Sequence, residues 1–223
     1  MKPPLLSKDG SVHVTDEFYN TLLSSVGIVI SLIGCAFLLF RAHQSGSLLK
    51  GVGFSIYGFG LIAMFTTSAL HHGVNGSPET NHFLRQLDYY AIFIMIAGSF
   101  TPFCLLLLNN SFGRTILGLV WALSVMGIIL KMRFPHVPRG FILSLYIGMG
   151  WLGVLIAKPI YQNVEHHGFL ALVLGGFFYT VGGIVFGLEK PNPFPGRFGF
   201  HEIWHCFVVA GAASHFYIMY RCL

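Results

Sequence analysis

The sequence predicts an all-α integral membrane protein, a bundle of seven transmembrane helices. Three observations carry that prediction. Only 9% of the 223 residues are Asp, Glu, Lys or Arg, against about a quarter in an ordinary soluble domain, too few to cover a soluble surface of this size. Hydrophobic residues make up 54% of the chain, with 22 phenylalanines, and the mean hydropathy is +0.70. The apolar residues also fall into seven runs, each near the ~20 residues that cross a bilayer as a helix. The runs are continuously apolar, without the period-2 alternation of a barrel strand, so they are helices.

Taken in order, the first span is predicted from Asn20 to Phe40 and is closed by Arg41. Lys50 precedes the second, Val52 to His72. The third runs from Asp88 to Leu108, with Arg85 before it. The fourth, Phe112 to Leu130, ends against Lys131 and Arg133. The fifth runs from Gly140, after Arg139, to Ala157. The sixth spans Gly168 to Gly187, and the seventh His201 to Tyr220. Connections this short leave no room for a soluble domain. The expected organisation is a short cytoplasmic N-terminus over residues 1–19, one seven-helix domain over 20–220, and a C-terminal tail of 221–223.

Lys and Arg set the expected orientation. With the N-terminus inside, the inner segments hold Lys2, Lys8, Arg85, Lys131, Arg133, Arg139, Lys190 and Arg197. The outer segments hold Arg41, Lys50, Arg114, Lys158 and Arg221. The excess favours N-in, C-out. Net charge is +5, but the basic residues are scattered between apolar runs, so no nucleic-acid partner is expected. Cys35, Cys104, Cys206 and Cys222 lack the spacing of a zinc site or a disulfide framework and read as buried, inert thiols. Lys2 and Lys8 give way to Asp16 and Glu17, and no small-residue cleavage site follows the first run, so no cleaved signal peptide is expected.

Span parity yields a result independent of orientation. The end of the second span and the starts of the third and seventh lie on one side of the membrane. His71, His72, Asp88, His201, Glu202 and His205 all fall there. Ionisable groups at membrane depth are expensive and mark functional sites by default.

The seventh span opens FHEIWHCFVVAGAASHF. His201 and His205 are i and i+4, so both imidazoles leave one side of the helix about a turn apart, the spacing with which a helix chelates a divalent ion. Ser68 and His72 in TTSALHHG are again i and i+4, and Asp88 opens the third span in QLDYYAIF. Three imidazoles, a carboxylate and a hydroxyl at one depth suit a three-histidine zinc site with an ordered water. Mutual hydrogen bonding among the same groups is the other way to offset their burial.

The segments SALHHG, LDYYAIFIMIAGSFTP and FHEIWHCFVVAGAASHF together resemble the hemolysin III family, which belongs with the progestin and adipoQ receptors and is more distantly similar to the alkaline ceramidases. The motifs occur in the family's order, and the resemblance covers nearly the whole chain. It implies zinc (Zn2+) held by His72, His201 and His205 near the cytoplasmic face, with Asp88 reaching the metal through water and Ser68 as a supporting hydroxyl. It also implies an N-in, C-out chain. Only 19 residues precede the first predicted span, which favours the compact bacterial-type form over a hormone receptor. If the chain is bacterial, the membrane is the inner one.

The expected activity is zinc-dependent hydrolysis of a lipid amide or ester bond, or a receptor built on that site, with membrane lipids as partners and a lipid or fatty acid as ligand. The alternative is a hemolysin-like protein that permeabilises membranes or modulates ion flow, with structural zinc. No Walker loop, dinucleotide fingerprint or GxSxG elbow is present, which leaves an ATP-driven transporter or serine hydrolase unsupported. Other residues have plainer expectations. His71 is interfacial, His215 hydrogen-bonded in the bundle interior, Glu202 either a second acid or base or an interfacial carboxylate at a helix N-terminus, and Pro102 a kink in the third span. Gly175, Gly176, Gly182 and Gly183 permit close helix packing.

Overall fold

The computed structural model describes residues 17–223. Lys2, Lys8 and most of the predicted N-terminal segment 1–19 lie outside the described residues. Eight α-helices follow one another: α1 (Phe18–Gln44), α2 (Leu48–Gly73), α3 (Pro78–Pro102), α4 (Ser111–Arg133), α5 (Arg139–Trp151), α6 (Gly153–Asn163), α7 (His166–Leu188) and α8 (Phe200–Cys222). A π-helical turn, Phe103–Leu107, extends α3. The helices α5 and α6 form a single span broken at Leu152. Among the described residues, seven helical stretches are long and apolar enough to cross a membrane, and no strand is present beyond one isolated bridge, Phe194 to Phe198.

The seven predicted spans are all there, and the helices are longer than their apolar cores. The largest extension is in α3. It begins at Pro78, so Asp88 lies in its third turn rather than at its start. Ser77 caps it by accepting from the Thr80 amide at 3.3 Å, with Pro78 in the first turn, where its missing N–H costs nothing. Asn110 caps α4 through the Gly113 amide at 3.0 Å. Pro102 ends regular helix, and the chain continues in the π turn, with the Leu108 amide bonded to the Phe103 carbonyl at 3.1 Å.

Two helices show how membrane-spanning segments pack without a hydrophobic difference between core and solvent. The buried face of α1 is Asn20, Ser24, Gly27, Ser31, Gly34, Leu38 and Ala42, spaced in steps of three and four. Its outward residues include Val29, Ile30, Ile33 and Phe37, all more than half exposed. Lipid accepts the large apolar side chains, and the small residues let backbones approach. In α4 the same spacing runs through Gly113, Ile116, Val120, Ser124, Gly127 and Lys131. The most buried span is α3, which packs against α2 and α4, and α8 closes the bundle against α1 and α7.

Several expectations change. Gly175, Gly182 and Gly183 sit in tight contacts, but a Cβ at Gly176 would meet nothing within 4 Å; Gly176 lines a cavity instead. All four cysteines are free, yet only Cys104 is buried, and Cys206 is exposed on the outer face of α8. His215 is interior as expected, but neither ring nitrogen has a hydrogen-bond partner of normal geometry, because the ring lies against Gly175 and edge-to-face with Tyr179.

At Gly127 an added Cβ would lie 2.3 Å from the ring of the fully buried Phe93. Gly127→Ala is therefore expected to lower the unfolding free energy by about 1–3 kcal/mol. Gly118→Ala on the same helix, where a Cβ meets nothing within 4 Å, should stay within about 0.5 kcal/mol of the parent. Denaturation of the detergent-solubilised protein measures both.

Candidate metal centre

The fold brings His72, from the last turn of α2, to His201 and His205 in the first two turns of α8. One nitrogen from each lies within 4.8 Å of the others, and all three side chains are buried. The His201 and His205 rings are parallel, 3° apart with centroids at 5.1 Å, as successive turns of one helix require. His72 meets both edge-on, at 4.9 and 5.0 Å. Its Nε2 faces Nε2 of His205 at 3.2 Å.

Behind His72 stands a residue that the motif pattern did not single out. Glu17 Oε2 lies 2.6 Å from His72 Nδ1, so the ring donates there and turns Nε2 toward α8. The side-chain amide of Asn20 donates to the same Glu17 oxygen at 3.0 Å and to Glu202 Oε1 at 2.9 Å. The second Glu202 oxygen accepts from the Gly199 amide at 2.7 Å. Glu202 is thus fully buried, joining the start of α8 to α1. This chain of bonds ties α1, α2 and α8 together beneath the three histidines. The signal for it was present in the sequence as Glu17 and Asn20, three apart, where an otherwise apolar run begins.

Ser68 is buried one turn before His72, and its hydroxyl pairs with that of Ser24 at 2.8 Å. Asp88 lies beside the Thr67 hydroxyl and the His201 ring. His71 is buried, with its ring 4.6 Å from that of His72. Phe186 covers His201 from α7 at 5.2 Å.

His201, His205, His71, Asp88 and Ser68 all line a cavity of about 540 Å³, within the roughly 300–1,000 Å³ of small-molecule sites. The rest of its wall is mostly apolar and runs past Tyr179 and His215 to Ile160 and Phe169. Asp88, His71, His201 and His205 therefore form the polar end of a long, greasy chamber.

The donor set fits a metal. Two nitrogens bonded at roughly 2.0–2.1 Å to one tetrahedral ion stand about 3.3 Å apart, close to the observed His72–His205 separation. A carboxylate on the far nitrogen is the usual outer support of a ligating imidazole, and Glu17 supplies it. Without an ion, the same contact is a hydrogen bond in which one of the two Nε2 atoms carries the proton.

Comparison with known proteins bears on this architecture. The haemolysin-III-related family profile matches residues 12–216, which take in every residue of the centre. The chain belongs to the haemolysin-III-related family. This family member is 36% identical to Hemolysin-3 of Bacillus cereus over 92% of the chain and 90% of that protein. It is 35% identical to the Hemolysin-3 homolog of Bacillus subtilis over 94% and 96%. The human monocyte to macrophage differentiation factor is similar at 28% identity over 88% of the chain and 79% of its own length. With its seven apolar spans, the haemolysin-III-related chain is a multi-pass integral membrane protein.

Removing Asn20 tests the support of the centre. Asn20→Ala strips one donor from the buried carboxylate of Glu202 and one from Glu17. The expected cost is about 1–3 kcal/mol of stability, read by denaturation in detergent. Thr180→Ala, half-exposed on α7 and bonded only to its own helix carbonyl at Gly176, is the comparison and should change little.

Proposed function

We propose that this protein is a zinc-dependent hydrolase of a lipid amide or ester bond, with its chain N-in, C-out and the site near the cytoplasmic face. The observation that carries the reading is the position of His201, His205 and Asp88 on the polar wall of an apolar cavity, with His72 buried against the two histidines. The orientation rests on the basic residues that share that end, Arg85, Lys131, Arg133, Arg139, Lys190 and Arg197.

His72, His201 and His205 would hold the ion. Zinc bound there would supply Lewis acidity toward the substrate carbonyl and acidify a water. Glu17 holds His72 in the tautomer that leaves Nε2 directed at the site, so the ligand needs no rearrangement. The apolar wall takes the acyl chain and excludes bulk water from the polar end. Asp88 would orient the attacking water and accept its proton as the carbon–oxygen bond forms. The same proton then passes to the leaving amine or alkoxide as the old carbonyl–heteroatom bond breaks. Ser68, fixed by Ser24, stands close enough along α2 to steady the polar end.

Elemental analysis of the detergent-purified protein should find about one zinc per chain, lost in His72→Ala and His205→Ala. Asp88→Asn should retain zinc and lose turnover by ~10²–10⁴-fold. A fully zinc-loaded protein that cleaves no ceramide, phospholipid or acyl amide would refute the hydrolase.

A second reading has one observation in its favour, the name Hemolysin-3 carried by the Bacillus cereus relative. In it the protein permeabilises membranes and the ion merely ties α2 to α8. Dye release from liposomes without breakage of any lipid bond would select it over hydrolysis.

A further inference from the structure

The polar end of the cavity carries positive charge that hydrolysis by the histidines and Asp88 does not use. Arg85, on α3, and Arg139, the first residue of α5, both line it. Arg139 is fixed in place: it pairs with Glu189, and its guanidinium lies over the rings of Phe186 at 4.8 Å and Phe200 at 5.9 Å. Arg85 is not neutralised in this way. Among the described residues no carboxylate stands within ion-pair distance of it, and Asp88, one turn further along α3, is engaged by the Thr67 hydroxyl and faces the charge of His201.

The charged neighbour that Arg85 does have is another cation, Lys131. Lys131 is buried on the inner face of α4. Its ammonium donates to the Pro135 carbonyl at 2.7 Å and stands 4.5 Å from the centroid of the Tyr89 ring, and Tyr89 itself lines the cavity. Two neighbouring cations, one of them on the wall of a low-dielectric chamber, repel one another. Surface arginines relieve such repulsion by reaching into water, whereas Arg85 is half-buried and contributes to the cavity wall.

We propose that Arg85, with Arg139 and Lys131 behind it, binds the phosphate of an anionic lipid whose acyl chain fills the apolar length of the cavity. A guanidinium fork matches phosphate oxygens in pairs, and a dianionic monoester balances the two cations that lack a carboxylate partner. The phosphate would sit about one helical turn, some 5 Å along α3, from Asp88, next to the three histidines. As a statement of substrate class this rests on the hydrolase reading; as a statement of binding it does not.

The test uses the full-length protein in neutral detergent, with and without a metal chelator, and reads thermal stabilisation against ligand concentration. The probes are lysophosphatidic acid, monoacylglycerol of the same chain length, and inorganic phosphate. Lysophosphatidic acid is expected to stabilise the protein at concentrations where the neutral lipid and inorganic phosphate do not, chelator or no chelator. Arg85→Gln should weaken that effect roughly tenfold to a hundredfold, and Arg85→Lys, which keeps the charge but not the fork, by less. Arg133→Gln, exposed at the same end and off the cavity wall, should leave it unchanged.

Equal stabilisation by monoacylglycerol overturns the proposal, as does an Arg85→Gln protein that responds like the parent. Equal protection by inorganic phosphate overturns the lipid as the source of the group. Selective binding without turnover by the zinc-loaded protein refutes the hydrolase alone; turnover of neutral lipids without phosphate selectivity refutes this proposal alone.

Discussion

The contact between Glu17 and His72 is the interaction on which the arrangement of this bundle turns. A carboxylate and an imidazole are both costly at the edge of a bilayer, and each is tolerated because the other, together with Asn20 and Glu202, satisfies it. The bonds run from α1 to α2 and from α1 to α8, so three helices are fixed in register by polar contacts rather than by apolar burial. That register is what delivers His72 to His201 and His205. In a medium where Leu gains little by leaving lipid for protein, a polar clasp is a more specific device than another layer of large side chains.

The small inner faces of α1 and α4 follow from the same condition. Phe93 and Phe65 need room against backbone, and Gly127 and Gly27 provide it. On α1 and α4 large residues turn outward and small ones inward, and the interior is filled by large side chains of the neighbouring helices, Phe65 and Phe93 among them. The exception is the long cavity, where α5 and α6 stand off from α8 and apolar side chains line space instead of filling it.

Much of this was legible in the sequence because the signals were local. Continuous apolar runs gave the spans, and i,i+4 spacing placed His201 and His205 on one face. Parity of the spans brought His72 and Asp88 to the same end. The first turns of α3 were missed because Glu79, Asn81, His82 and Arg85 break the apolar pattern, although Ser77 and Pro78 marked a helix start. Glu17 and Asn20 went unassigned for a different reason. Their meaning depends on Glu202, 182 residues from Asn20, and nothing in either neighbourhood reveals the other. The burial of His71 and the stand-off of Gly176 from its neighbours likewise depend on which helix packs where.

His72 is made long before the other two histidines, 133 positions ahead of His205. At about 5–20 residues per second, α2 waits roughly 7–27 s in or near the bilayer before its partner helix exists. Throughout that interval Asn20 lacks Glu202, and His72 lacks both imidazoles of α8. The last span is also the least apolar of the seven, so its own hydropathy contributes least to bringing it into the membrane. Its first two turns carry His201, Glu202 and His205, the polar residues α1 and α2 hold partners for. Early helices thus act as a template that receives the final one, and an incomplete chain, stopped short of α8, would display unsatisfied polar groups by which a membrane quality-control protease could distinguish it from the finished protein.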